Sequence, residues 1–234
     1  MDLDKLALGP LWYVAFLLST TCHEAAHALA AKLGGDLTAF HGGQVSLNPI
    51  PHIRREPFGL LLIPILSFIM GGAMIGWASA PYDPAWQQQH PKRASWMALA
   101  GPSANFAIFL IALVLMRVGL ATGFFAPGQY AMAHIVMASD SPIAEASATL
   151  VSIFFSLNLL LGTFNLLPIP PLDGYSALGI FATEEMALRL SRWAASFRAF
   201  SLIGILAGWQ LFGAVFPKVF LAALKLVYPG LSSD

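Results

Sequence analysis

The chain has 234 residues, 57% of them hydrophobic and only 10% charged, with a mean hydropathy of +0.70, values outside the usual soluble range and inside that of multi-span membrane proteins. Twelve basic residues balance twelve acidic ones and neither sign forms a long run, so the charge pattern carries no footprint for nucleic acid or an anionic substrate. The single cysteine, Cys22, cannot form an intrachain disulfide; it adjoins His23, but neighbouring helix positions point about 100° apart, so it reads as a packing residue.

Met1 to Lys5 form a short charged stub. The apolar segment from about residue 8 to 33 is flanked by Lys5 and Lys32 and contains no charged residue except Glu24, so it is long enough to cross a bilayer. It holds the pentapeptide His23-Glu24-Ala25-Ala26-His27. Cleavage as a signal peptide would remove that motif, so the segment is expected to remain as a span. Residues 34–56 are polar and rich in Gly and Pro; the alternation Gln44-Val45-Ser46-Leu47 fits a short strand or an irregular loop. Residues 57–80 are apolar but interrupted by Pro64 and Gly71-Gly72, which suggests a broken or re-entrant segment as much as a crossing.

A second span is predicted over residues 94–118, opened by Lys92-Arg93, closed by Arg117 and carrying the small-residue run Ala100-Gly101-Pro102-Ser103-Ala104-Asn105, which favours close helix contact. Residues 121–144, with Pro127, His134 and Asp140, read as an interfacial helix plus loop. A further span over 143–167 ends in Asn165-Leu166-Leu167-Pro168-Ile169-Pro170-Pro171-Leu172-Asp173-Gly174, where the prolines forbid regular helix. Residues 178–195 fit an amphipathic helix with Glu185 and Arg189 four apart, a solvated face. A final span over 196–216 precedes a surface-lying helix at 217–228 with Lys218 and Lys225 on one face. The pattern predicts an all-α polytopic membrane protein of about four to six transmembrane helices, with a short membrane-associated β or re-entrant segment. Apolar segments occupy nearly all of the sequence, so residues 1–234 are expected to form a single domain.

The pentapeptide needs a chemical reason, because ionisable side chains inside a bilayer are costly. Residues four apart share a helix face, so His23 and His27 can both turn a ring nitrogen to one zinc ion with Glu24 beside it. At this chain's His and Glu frequencies a chance H-E-x-x-H arises in roughly three such sequences per thousand. A hydrolytic zinc site wants three protein ligands and an open position for water. Asp173 is the strongest candidate for the third, because it ends an apolar segment where irregular backbone can line a cavity; an aspartate capping the following helix is the competing reading. Zinc lowers the pKa of bound water to about 7, and a carboxylate at hydrogen-bond distance can take the proton during attack on a peptide carbonyl.

H-E-x-x-H in a span, followed far downstream by N-x-x-P and L-D-G, resembles the site-2 protease family of intramembrane zinc metalloproteases. The likeness runs from Thr20 to about Gly174 and includes Ala100-Gly101-Pro102. It implies one Zn2+ held by His23, His27 and Asp173, Glu24 as general base, and Asn165 as a polar group near the scissile carbonyl; an interhelical hydrogen bond is the alternative role for Asn165. It also implies an edge strand near residues 71–75 that receives a membrane-protein substrate with a transmembrane helix, and an active site nearer the cytosolic face. Size and simplicity suggest a bacterial inner-membrane enzyme, with the lipid bilayer as its other partner and no nucleic acid. Many small bacterial members follow Gly76-Trp77-Ala78 with Lys-Pro-Val-Pro; here Ser79-Ala80-Pro81-Tyr82-Asp83-Pro84 follows. No stretch reads as the PDZ or CBS domain of larger members.

Depth along the spans adds a constraint. His23 and His27 lie near the C-terminal end of the first span and Asp173 follows the motif-bearing span, so both ends must reach one membrane face. A re-entrant segment at 57–80 satisfies this if 121–144 does not cross. Ser19, Thr20 and Thr21 are candidate lining for a water path, and His41, His52, His90 and His134 read as loop or interface residues. The competing functions are a metal transporter, which would spread its ligands along a path, a non-catalytic metal-binding membrane protein, and a prenyl-type endopeptidase, which would lack the L-D-G partner.

Overall fold

A computed structural model of the chain describes residues 7–196 and 201–231; the charged stub at 1–5 lies outside them. Helix α1 (Gly9–Leu33) starts at a proline in its first turn and runs 25 residues, about 37 Å. Two short helices follow, α2 (Thr38–His41) and α3 (Pro49–Arg55), the latter capped by the Asn48 side chain, which accepts from the Ile50 amide. Gln44 to Leu47 between them is irregular, so the loop alternative is the one realised.

The apolar segment that follows is re-entrant. A π-helical turn (Phe58–Leu62) leads into α4 (Ile63–Gly71), which stops at Gly72 in the left-handed conformation, φ +75°. The chain then returns extended alongside its own helix: the Ile75 amide donates to Ser67 Oγ and the Trp77 amide to the Gly59 carbonyl. A Cβ on Gly76 would stand 2.1 Å from the Gly59 carbonyl oxygen, so only glycine permits this return path. Gly71 itself belongs to α4, and residues 74–83 pair with no strand among the described residues. The edge strand expected near 71–75 therefore does not form among the described residues, and irregular backbone follows α4 instead.

After α5 (Pro84–Gln89), α6 (Pro91–Thr122) extends 32 residues and closes on Gly123 at φ +76°. Residues 121–144 do not form the expected interfacial helix. They fold as an antiparallel hairpin, β1 (Ala126–Pro127) against β2 (Val136–Met137). Pro127 and Gly128 disfavour helix, and the branched Ile135 and Val136 are buried in the main core instead. Ser141 caps α7 (Pro142–Asn165) by accepting from the Ala144 amide. The proline-rich turn ends at α8 (Asp173–Ala177), and a 3-10 turn (Leu178–Ile180) leads to α9 (Glu184–Ser196).

Helix α10 (Ser201–Val227) is continuous through Pro217, so the expected break into a span and a surface helix does not occur. The missing N–H of Pro217 costs one bond, to the carbonyl of Gly213, and a helix tolerates one such loss.

By length and composition α6, α7 and α10 can cross a membrane. Helix α1 has the length, but Ser19, Thr20, Thr21, His23, Glu24 and His27 dilute its apolarity and are buried inside the bundle. Pairings at the two ends fix the relative sense of the helices. At one end Trp86 Nε1 donates to the Gly34 carbonyl and Lys92 Nζ to the Ile180 carbonyl; at the other Arg117 Nη1 donates to the Val227 carbonyl. The end of α1, the start of α6 and the segment after α7 thus share one face, as the depth constraint requires.

Candidate metal centre

One turn separates His23 from His27, so α1 presents both imidazoles to the same side, and both are buried. The turn after α7 brings Asp173 to them from 146 residues further along the sequence than His27, at the first position of α8. Asp173 Oδ2 lies 3.2 Å from His23 Nε2 and 3.3 Å from His27 Nε2, and the two Nε2 atoms are 3.0 Å apart. Tetrahedral zinc with ligands at about 2.0–2.1 Å separates them by about 3.3 Å. The triangle therefore fits three vertices of such a site. The donor set fits as well: His27 Nδ1 is 2.7 Å from the Met97 carbonyl oxygen, which only accepts, so Nδ1 carries the hydrogen and Nε2 turns a lone pair toward the carboxylate. Ring lone pairs and a carboxylate at that separation repel unless a proton or a metal cation lies between them. Among the described residues this is the one group of three or more His, Cys, Asp or Glu side chains that could hold a metal ion.

Glu24 is buried at 5% exposure, next to His23, and its carboxylate has no hydrogen-bond or ion-pair partner among the described residues. Helix α6 supplies the opposite wall. A Cβ on Gly101 would stand 2.3 Å from His27 Nε2 and 2.6 Å from His23 Nε2, so the absent side chain keeps the approach to both nitrogens clear.

Behind His23 lies a polar chain that was not evident from motif spacing. His23 Nδ1 is 2.6 Å from Asn105 Oδ1, Asn105 Nδ2 donates to Asn158 Oδ1 at 2.9 Å, and Asn158 Nδ2 donates to Ser19 Oγ at 2.8 Å and to the Phe154 carbonyl at 2.9 Å. Ser19, Asn105 and Asn158 are fully buried. The available signal was the cost of an amide within an apolar span; Asn105 stood out only as part of a small-residue run, and Asn158 not at all.

Asn165 ends α7 half-buried, and its Nδ2 donates to the Leu161 carbonyl of its own helix at 3.0 Å. Of the three candidate water-path residues, Ser19 is engaged by Asn158, while Thr20 Oγ1 and Thr21 Oγ1 are buried without hydrogen-bond partners among the described residues. His41 is exposed, His90 and His134 are half-buried, and the buried His52 meets the Ser46 carbonyl through Nε2; none joins the metal group.

The family model for peptidase family M50 matches residues 11–205. The chain belongs to peptidase family M50. This is the site-2 protease family that the motifs resemble, and the match spans α1 through the start of α10, so it includes every residue of the centre. Among curated relatives, a Bacillus subtilis protein named "Putative zinc metalloprotease YwhC" is 34% identical over 171 residues, 73% of this chain and 68% of the relative. Proteins named "Putative zinc metalloprotease Rip2" are 31% identical in Mycolicibacterium smegmatis, over 73% of this chain and 60% of the relative, and 30% identical in Mycobacterium tuberculosis, over 86% and 70%. No solved structure matches this M50 chain.

Proposed function

We propose that this M50 peptidase is a zinc-dependent intramembrane endopeptidase that uses water to cleave a transmembrane segment of a membrane-protein substrate. The observation that carries the reading is the near-equilateral triangle of His23, His27 and Asp173 donor atoms beside a buried Glu24 whose carboxylate forms no hydrogen bond or ion pair among the described residues. The names of the bacterial relatives support it. His23, His27 and Asp173 hold one Zn2+ in this reading. Zinc, when bound, supplies a Lewis acid that acidifies water and polarises the scissile carbonyl.

Glu24 takes a proton from the attacking water and returns it to the leaving amine. The absence of an ion pair or hydrogen bond to it among the described residues suits that role, since a carboxylate already committed to an ion pair would have to break it first. A helical substrate hides its peptide bonds in hydrogen bonds to the residue four before, so it must unwind and find replacement partners. Residues 74–83, which form neither helix nor strand, offer backbone groups for strand addition. Asn165 exchanges its bond to its own helix for one to substrate backbone near the reacting carbonyl. This reading places the protein in a bacterial inner membrane, its site toward the cytosolic face, where cleavage would release a membrane-held regulator.

The test is wild type against Glu24→Gln and Asp173→Ala in detergent, with bound zinc and cleavage of a transmembrane model substrate measured on the same samples. Glu24→Gln should keep its zinc and lose about a thousandfold in rate; Asp173→Ala should lose both. Zinc-dependent cleavage that survives in Glu24→Gln would sink the mechanism, and zinc flux into proteoliposomes without cleavage would favour transport.

A further inference from the structure

The two histidines have unequal second partners. His27 Nδ1 faces a backbone carbonyl, that of Met97, which cannot donate, so its hydrogen is placed without ambiguity. His23 Nδ1 faces a side-chain amide, Asn105, which could present either its oxygen or its NH2. With the oxygen forward, His23 holds hydrogen on Nδ1 and a lone pair on Nε2. With the NH2 forward, the neutral ring would carry its hydrogen on Nε2, the atom that faces Asp173 and His27, and could not ligate there.

We infer that Asn158 is a positioning residue that sets the orientation of Asn105 and, through it, the tautomer of His23. The inference rests on the proposed metal-binding role of His23 and follows the hydrogen bonds one by one. The Phe154 carbonyl, on the same helix as Asn158, only accepts, so the group of Asn158 turned to it at 2.9 Å must be Nδ2. That leaves Asn158 Oδ1 toward Asn105, which must then answer with its own Nδ2, at 2.9 Å. Asn105 Oδ1 is thereby left facing His23 at 2.6 Å. A main-chain carbonyl on α7 thus dictates, through two buried amides, which nitrogen of a histidine on α1 is free to bind metal. Because Asn105 and Asn158 are both fully buried, bulk water cannot stand in for a missing member, and reversing either amide would oppose like groups at hydrogen-bond distance. Ser19 Oγ can accept from Asn158, but a hydroxyl both donates and accepts, so it adds no direction.

The test combines a direct observation with two variants of the full-length chain in detergent. In metal-free wild type, nitrogen-15 NMR of labelled histidines, recorded where the two ring-nitrogen signals show a neutral imidazole, should show His23 with hydrogen on Nδ1; loss of its signal in His23→Gln makes the assignment. Asn158→Leu should bind zinc about 10- to 100-fold more weakly in chelator competition and give an altered cobalt absorption spectrum, with the His27 tautomer unchanged. Ser19→Ala should stay within about twofold of wild type, because the Phe154 carbonyl still holds the amide. Hydrogen on Nε2 of His23 in wild type, or an Asn158→Leu protein with wild-type zinc affinity and cobalt spectrum, would overturn the inference. If Asn158→Leu does not fold, the wild-type tautomer decides. If wild type binds no zinc, the metal-centre reading fails, while the tautomer still tests the relay.

Discussion

Gly101 shows how an absent atom can shape a site as strongly as a present one. Its α-carbon faces both Nε2 nitrogens, and the 2.3 Å and 2.6 Å separations that a Cβ would have are far inside van der Waals contact. Helix α6 cannot retreat, because Met97 and Asn105 on the same helix hold the outer nitrogens of the two rings. Gly101→Ala is therefore expected to displace both imidazoles and weaken zinc binding by about a hundredfold, while the fold persists. Zinc content after purification, with chelator competition, checks this; wild-type affinity would show that the rings accommodate a methyl group.

Among the elements, the return from α1 depends on one carboxylate. Asp36 Oδ1 accepts from the Thr38 amide and hydroxyl, and Oδ2 accepts from the Asp83 amide at 2.8 Å, tying the end of α1 to the start of α5. Burial alone would raise the Asp36 pKa, but the Thr38 and Asp83 donors outweigh it and hold the carboxyl below the ordinary carboxylate value. A group with a depressed folded-state pKa contributes stability above its unfolded value, about 3.9, and loses it as the pH falls through the folded one. Asp36→Asn should therefore lower stability by about 2 kcal/mol at neutral pH, with the difference from wild type shrinking below about pH 4. Thermal unfolding in detergent across that range tests the sign; a difference that grew on acidification would refute it. The re-entrant unit depends similarly on Gly76, whose Cβ would meet the Gly59 carbonyl. Gly76→Val should lower the unfolding midpoint by several degrees, as overpacking costs about 1–3 kcal/mol.

At the scale of the molecule, the hydrogen bonds at the bundle ends predict sidedness. With Cys22 replaced by alanine, cysteines at the exposed positions Leu47 and Phe181 should react with a membrane-impermeant thiol reagent from one side, and a cysteine at exposed Phe124 only from the other. Labelling of all three from one side would mean that α6 and α7 do not both cross. This arrangement lets a site assembled from α1, α6 and α8 sit at one depth, since re-entry at 57–80 and the hairpin at 123–141 each return the chain to the face it left.

The sequence by itself determined the membrane class, the membrane-crossing helices α6 and α7, and the candidates His23, Glu24, His27 and Asp173, because apolar run length and four-residue spacing on a helix are local properties that lipid enforces. It did not determine the hairpin over 121–144, which the burial of Ile135 and Val136 in the main core fixes, or the continuity of α10 through Pro217, where the helix tolerates one missing bond. Nor could it reveal that Asn105 and Asn158 meet or that Gly101 faces two histidines. Those facts are relations between residues tens of positions apart, and only the crossing of α1, α6 and α7 in space brings their polar groups within hydrogen-bond reach.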